Sequence, residues 1–122
     1  MARAFVMGRL KSIRCAAAGV GHLIRSQQNA RVHLAASAAV IGVGVAMRLS
    51  AGEWCWMLVA MGAVWVAEAL NTAVELVADA VHPARHPLIG RAKDVAAGGV
   101  LLAAGMAVAI GIAVIAPHLF AR

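Results

Sequence analysis

Tyrosine is absent from this chain of 122 residues, all aromatics together reach only 4%, and charged residues make up only 13%. A soluble domain carries about 25% charged residues and about 45–50% apolar ones, whereas the apolar share here is 63%. A chain this short leaves much of its surface outside whatever core it forms, so a water-soluble fold is excluded. Lipid is the natural solvent, and the abundant alanine, valine and glycine suit close helix packing there. Acids are scarce, five against eleven Lys and Arg, for a net charge of +6. Such an excess can signal nucleic acid, but the positions of the bases exclude that partner. Six precede the first apolar run (Arg3, Arg9, Lys11, Arg14, Arg25, Arg31) and three fall between the second and third (Arg85, Arg91, Lys93), leaving Arg48 and Arg122 on the other side. This asymmetry predicts a cytoplasmic N-terminus. Cys15 and Cys55 then lie at opposite membrane faces and cannot pair. Charges interrupt the first 31 residues, so no signal peptide is expected.

The pattern predicts an all-α membrane protein of one domain spanning residues 1–122. Val6, Leu10, Ile13, Ala17, Val20 and Ile24 advance by four and three, which makes one apolar stripe on a helix over about 6–26. Lys11, Arg14, His22 and Arg25 lie opposite, as on a helix resting on the membrane surface, either as an anchor or as a lid over a site. The first span is read over 32–48, with an uncharged stretch of only 16 residues from Val32 to Met47 and His33 at its base. The second runs over 54–80 behind Trp54 and Trp56, which are expected at the outer interface. The third covers 91–117. Between them, His82-Pro-Ala-Arg-His-Pro-Leu-Ile-Gly90 forbids a continuous helix.

The acids carry the chemistry. Glu68, Asn71, Glu75 and Asp79 advance by three, four and four, which sets them within about 80° on a helical wheel. At ~1.5 Å per residue, Glu68 lies about 21 Å below Trp54, Glu75 about 31 Å and Asp79 about 37 Å, in a bilayer whose hydrocarbon is about 30 Å thick. Glu68 must therefore face protein or a wet cavity. Polar glue between helices is the bland alternative, but two carboxylates seven residues apart repel unless a cation joins them. Gly90-Arg-Ala-Lys-Asp94 precedes the third span. Its bases serve either as positive-inside anchors or, with the free N–H groups of a helix start, as a phosphate site. Asp94 adds nothing to anchoring and could cap the helix or face a metal. His82 and His86 are interrupted by prolines, which argues against a helical metal pair. Gly42-Val-Gly44 lacks the third glycine of a dinucleotide loop, and there is no P-loop.

Glu68-Ala-Leu-Asn-Thr-Ala-Val-Glu75, then Asp79, then Gly90-Arg-Ala-Lys-Asp94 resembles the prokaryotic diacylglycerol kinase family, which includes undecaprenol kinases, over most of the chain. The resemblance implies a homotrimeric lipid kinase of the bacterial inner membrane. It would use ATP with Mg²⁺ and phosphorylate a lipid alcohol at the cytoplasmic face. By the same resemblance, Glu68 corresponds to the catalytic base, Glu75 to a ligand of the magnesium on ATP, and Asn71 to a supporting polar residue. Asp79 continues that stripe. Lys93 and Asp94 match the pair that meets the nucleotide phosphates, and Arg85 and His86 lie in the loop that approaches the nucleotide. Two positions depart from the pattern. Gln27 stands where the family usually has a second metal-binding glutamate, and Cys15 where an aromatic can face the nucleotide. Arg31-Val-His33-Leu resembles the undecaprenol kinases, which leans the acceptor toward undecaprenol over diacylglycerol. The rival class is a small transporter that exchanges protons through a membrane carboxylate.

Overall fold

The computed structural model of the chain describes residues 2–84 and 86–120. Among the described residues there are four α-helices and no strand: α1 (Ala2–Ser26), α2 (Gln28–Ala46), α3 (Ala51–Val81) and α4 (Pro87–Phe120). Three of these, α2, α3 and α4, are long and apolar enough to cross a membrane. Helix α2 has 19 residues and begins four positions before the uncharged stretch. The charged flank does not end the helix, because backbone hydrogen bonding continues through Asn29 and Arg31. This relieves the mismatch that 16 residues would meet in about 30 Å of hydrocarbon.

Local chemistry sets the turn between α2 and α3. Arg48 adopts φ 56°, the left-handed conformation that ends many helices. Its N–H donates to the Val45 carbonyl at 3.1 Å, and the next N–H, of Leu49, donates to the Gly44 carbonyl at 3.1 Å. Ser50 then caps α3. Its N–H and hydroxyl both donate to Glu53 Oε2 at 2.7 Å, and its oxygen accepts the Glu53 N–H at 3.4 Å. This reciprocal arrangement satisfies donors that a helix start leaves free. The other carboxylate oxygen of Glu53 meets His118 Nε2 at 2.7 Å, tying the start of α3 to the end of α4.

Helix α3 is the axis of the fold. α1, α2 and α4 all pack on it, α4 most extensively, while α2 and α4 do not pack backbone to backbone. The buried face of α3 reads Met57, Ala60, Val64, Glu68, Asn71 and Thr72, one helical stripe whose chemistry changes from apolar to polar half-way down. The apolar half forms the core, where Leu49, Met57 and Val114 pack with Val40, Trp54 and Ile110 at the end next to that turn. Trp56 is exposed there, but Trp54 is turned inward. A Cβ on Gly44 would lie 2.7 Å from Trp54 Cη2 and 3.1 Å from Leu49 Cδ1. The indole therefore seats on the glycine instead of standing at the interface.

Gly44→Ala should lower the apparent melting temperature in detergent, since overpacking costs about 1–3 kcal/mol. A Cβ on Gly42 meets nothing within 4 Å, so Gly42→Ala should leave the melt unchanged. Equal melts for the two variants would mean that Trp54 does not occupy this seat.

Candidate active site

The polar half of α3 opens into a chamber of about 260 Å³ between α2, α3 and α4, lined by Asn29, Val32 and His33 on one side, Glu68 and Asn71 on another, and Ala97, Val100, Leu101 and Ala104 on the third. Glu68 is 1% exposed, the largest fully buried side chain among the described residues. Among the described residues, its Oε2 has no hydrogen-bond partner, and neither have Asn71 Oδ1 and Thr72 Oγ1. His33 Nε2 stands 3.9 Å from that oxygen, beyond direct hydrogen-bond range. A buried acid with an unsatisfied oxygen is costly, so the chamber is built at the expense of stability, as reacting groups commonly are. His33 also lines a second, mainly apolar cavity of about 270 Å³ that continues between the same helices past Met57 to Ile115. Polar chamber and apolar cavity thus meet at one imidazole. On the α2 side of this region, Trp65 Nε1 donates to Ser37 Oγ at 3.1 Å and holds α2 against α3.

One turn further, Asn71 Nδ2 donates to Glu75 Oε1 at 3.3 Å, which leaves the half-buried Glu75 carboxylate oriented by a neutral amide. Asp79 and Lys93 form an ion pair at 2.8 Å across the α3–α4 junction. The Glu75 carboxylate lies close enough for its charge to act on Lys93 as well. Around this pair, His82, His86, Ile89 and Gly90 line an open cavity of about 520 Å³. The His82 and His86 rings face each other obliquely with centroids 5.4 Å apart. The stripe on α3 and the lysine of α4 therefore meet on one side of the molecule.

Three expectations change. Helix α4 starts at Pro87, not at Arg91, and the Gly90 N–H already donates to the His86 carbonyl at 2.9 Å. Proline suits a first helical position because the donor it lacks would be free there anyway. Arg91, Lys93 and Asp94 therefore lie inside the helix, where their backbone N–H groups are committed to the helix, so any anion there must be held by side chains. For the same reason Asp94, which is exposed, is not a cap. Gln27 is the single non-helical residue between α1 and α2, and no hydrogen bond or shared cavity among the described residues joins it to Glu75. Arg85 lies outside the described residues. No group of three His, Cys, Asp or Glu among the described residues could hold a metal ion unaided.

His33 enters the sequence reading only through the Arg31-Val-His33-Leu segment and as a polar residue at the base of the first span, and the structure sets it beside Glu68. A signal was present. His33 precedes Met47 by 14 residues and Glu68 follows Trp54 by 14, so two helices joined by a short turn carry them to equal depth.

Residues 14–115 match the profile described as prokaryotic diacylglycerol kinase. The chain belongs to that family. It is 36% identical over 109 residues to the undecaprenol kinase of Bacillus subtilis, covering 89% of each chain. It is 40% identical over 111 residues to the diacylglycerol kinase of Synechocystis, covering 90% of this chain and 63% of that one. No solved structure matches. Family membership makes the chain a lipid kinase, and its three spanning helices make it a membrane protein. The transporter alternative falls with that match.

In this kinase family member, replacing the buried acid by an apolar side chain of similar size should stabilise the fold. An unsatisfied buried group costs about 1–3 kcal/mol, so Glu68→Met should raise the melting temperature in detergent. An unchanged or lower midpoint would mean that Glu68 is fully satisfied in the folded protein.

Proposed function

We propose that the chain transfers the γ-phosphoryl group of MgATP to the hydroxyl of a lipid alcohol at the cytoplasmic face of the bacterial inner membrane, as a homotrimer. The observation that carries this is the sealed Glu68 carboxylate, with a free oxygen directed into a chamber that adjoins an apolar cavity. A hydroxyl delivered from the lipid side meets an acceptor-only oxygen with nothing else to bind. Glu68 takes the hydroxyl proton as the oxygen attacks the γ-phosphorus and the bond to the β-bridging oxygen breaks.

The phosphates lie on the aqueous side of that carboxylate. Lys93 leaves Asp79 to neutralise them, an exchange with little penalty because a pair this exposed is screened by water. Asp94, one position on, and the Arg85–His86 segment complete the nucleotide side, as the family resemblance implies. Mg²⁺ fits the donors present. It usually keeps several waters and takes one or two carboxylates along with substrate phosphates, which is what Glu75, oriented by Asn71, offers. Glu75 would hold it, and it would neutralise charge on the phosphates during transfer. Gln27 contributes at most a neutral carbonyl. The apolar positions of α1, among them Val6, Leu10, Ile13 and Val20, are uncovered by the rest of the chain, which suits a helix lying on the membrane with its cations at the headgroups.

Of the two acceptors, undecaprenol is favoured. The Arg31-Val-His33-Leu segment resembles that branch, and the Bacillus relative named for it matches along nearly its full length.

Purified protein in mixed micelles with labelled ATP should label undecaprenol faster than diacylglycerol when the two are compared side by side; the reverse order would reassign the acceptor. Glu68→Gln should abolish turnover of either lipid with the fold retained, and persisting activity would remove Glu68 as the base. Gln27→Glu should lower the magnesium concentration for half-maximal rate by supplying a charge. An identical titration would mean that this position does not meet the metal.

A further inference from the structure

We infer that His33 is a further catalytic residue: it receives the proton that Glu68 takes from the acceptor and passes it out of the membrane interior, resetting Glu68 for the next turnover. The inference rests on the proposed role of Glu68 as base and concerns the step after phosphoryl transfer.

The need for such a group follows from burial. Each turnover leaves one proton on a carboxylate that is 1% exposed, and a second acceptor cannot be deprotonated until it leaves. Among the side chains that line the chamber, His33 is the one besides Glu68 that can carry a proton. On the α4 side stand Ala97, Val100, Leu101 and Ala104, and the neighbouring polar residues, Asn29 and Asn71, carry neutral amides. Among the described residues, His33 and Glu68 are the only titratable side chains lining either this chamber or the adjoining apolar cavity. Arg31, two positions before His33 on α2, is exposed and lines neither.

The geometry suits a relay. His33 Nε2 is 3.9 Å from Glu68 Oε2, and the two side chains are 20% and 1% exposed. At that separation an oxygen at ordinary hydrogen-bond distance from both atoms closes the gap. That oxygen is a water's, present after transfer, which accepts from the protonated carboxyl and donates to Nε2; the acceptor's single O–H proton goes to Glu68 alone. Asn29, one turn nearer the start of α2, is exposed and lines the same chamber as His33, so the exit leads toward the start of α2. Imidazole is also the side chain suited to taking and releasing a proton near neutral pH.

The balance is simple. The acceptor O–H bond breaks and its oxygen bonds the γ-phosphorus, while ADP leaves with the electron pair of the cleaved P–O bond. The proton moves from the hydroxyl to Glu68 Oε2, then through one water to the Nε2 lone pair of His33. The imidazolium releases its Nδ1 proton to water, and proton exchange with water then returns the neutral ring from the Nε2–H to the Nδ1–H tautomer, restoring the carboxylate and a free Nε2 lone pair. No oxidant or further reactant is needed.

A relay that acts after chemistry has a signature that a positioning role lacks. In rapid-quench experiments on full-length protein in mixed micelles, His33→Gln, close in size but unable to carry a proton, should give a first turnover near the wild-type rate. It should then settle to a steady state about 10²-fold slower, the lower end for loss of a proton-transfer group. His33→Ala should behave alike, and added imidazole should restore its steady state without changing the first turnover. Loss of the first turnover together with the steady state in folded His33→Gln would overturn the relay, as would a steady state equal to wild type. Should His33→Gln not fold, imidazole rescue of His33→Ala decides: rescue supports the relay and its absence overturns it. The base assignment is tested separately, since Glu68→Gln must lose the first turnover itself. A Glu68→Gln enzyme that kept it would sink the proposed role of Glu68, whatever the His33 variants did.

Discussion

The structure depends on one buried carboxylate held inside a helix bundle. Glu68 cannot face hydrocarbon, where a charge costs about 2.5–3.5 kcal/mol even on the lenient insertion scales. It also has no hydrogen bond to Oε2 among the described residues. Helix α3 must therefore turn its polar stripe inward, and the rest of the fold follows from that rotation. The backbones of α2 and α4 flank α3 without packing on each other, so the line above the stripe stays open as a chamber. A tightly closed bundle would have buried the acid without access, and a looser one would have exposed it to lipid.

The two ends of α3 divide the work. At the end next to the α2–α3 turn the stripe is apolar, and Leu49, Met57, Val114 and the inward Trp54 form the packed core. The turn there is closed by helix-end chemistry on both sides: the left-handed Arg48, the Ser50–Glu53 box and the Glu53–His118 tie. At the opposite end packing gives way to polar groups, with the Asn71–Glu75 bond and the Asp79–Lys93 pair in sequence. Close apolar packing is concentrated at one end of α3, and polar pairs at the other. The transition from Val64 to Glu68, one turn, is where the two regimes meet.

Most of the remaining apolar surface points outward. Val95, Leu101, Leu102 and Ile112 are exposed along α4, as are Val59, Val66 and Leu70 on α3. In a bilayer such surface needs no protein cover, because lipid tails solvate it as well as leucine does. The thin arrangement of helices around α3 is therefore a stable form in lipid that would fail in water.

The order of elements, the three spans and the shared face of Glu68, Asn71, Glu75 and Asp79 were legible in the sequence, because each is a consequence of local periodicity and of the cost of placing charge in lipid. The family was legible too, since its motifs are short and contiguous. Other features required the folded chain. That α4 begins at Pro87 depends on where the His86 carbonyl finds its donor, and that Trp54 seats on Gly44 depends on how two helices approach. The Lys93–Asp79 pair and the gap between His33 and Glu68 join residues far apart in the chain. Spacing along a helix sets which residues share a face and how deep they lie. Which face of one helix meets which face of another is decided by packing across the turn, and only the tertiary structure holds that information.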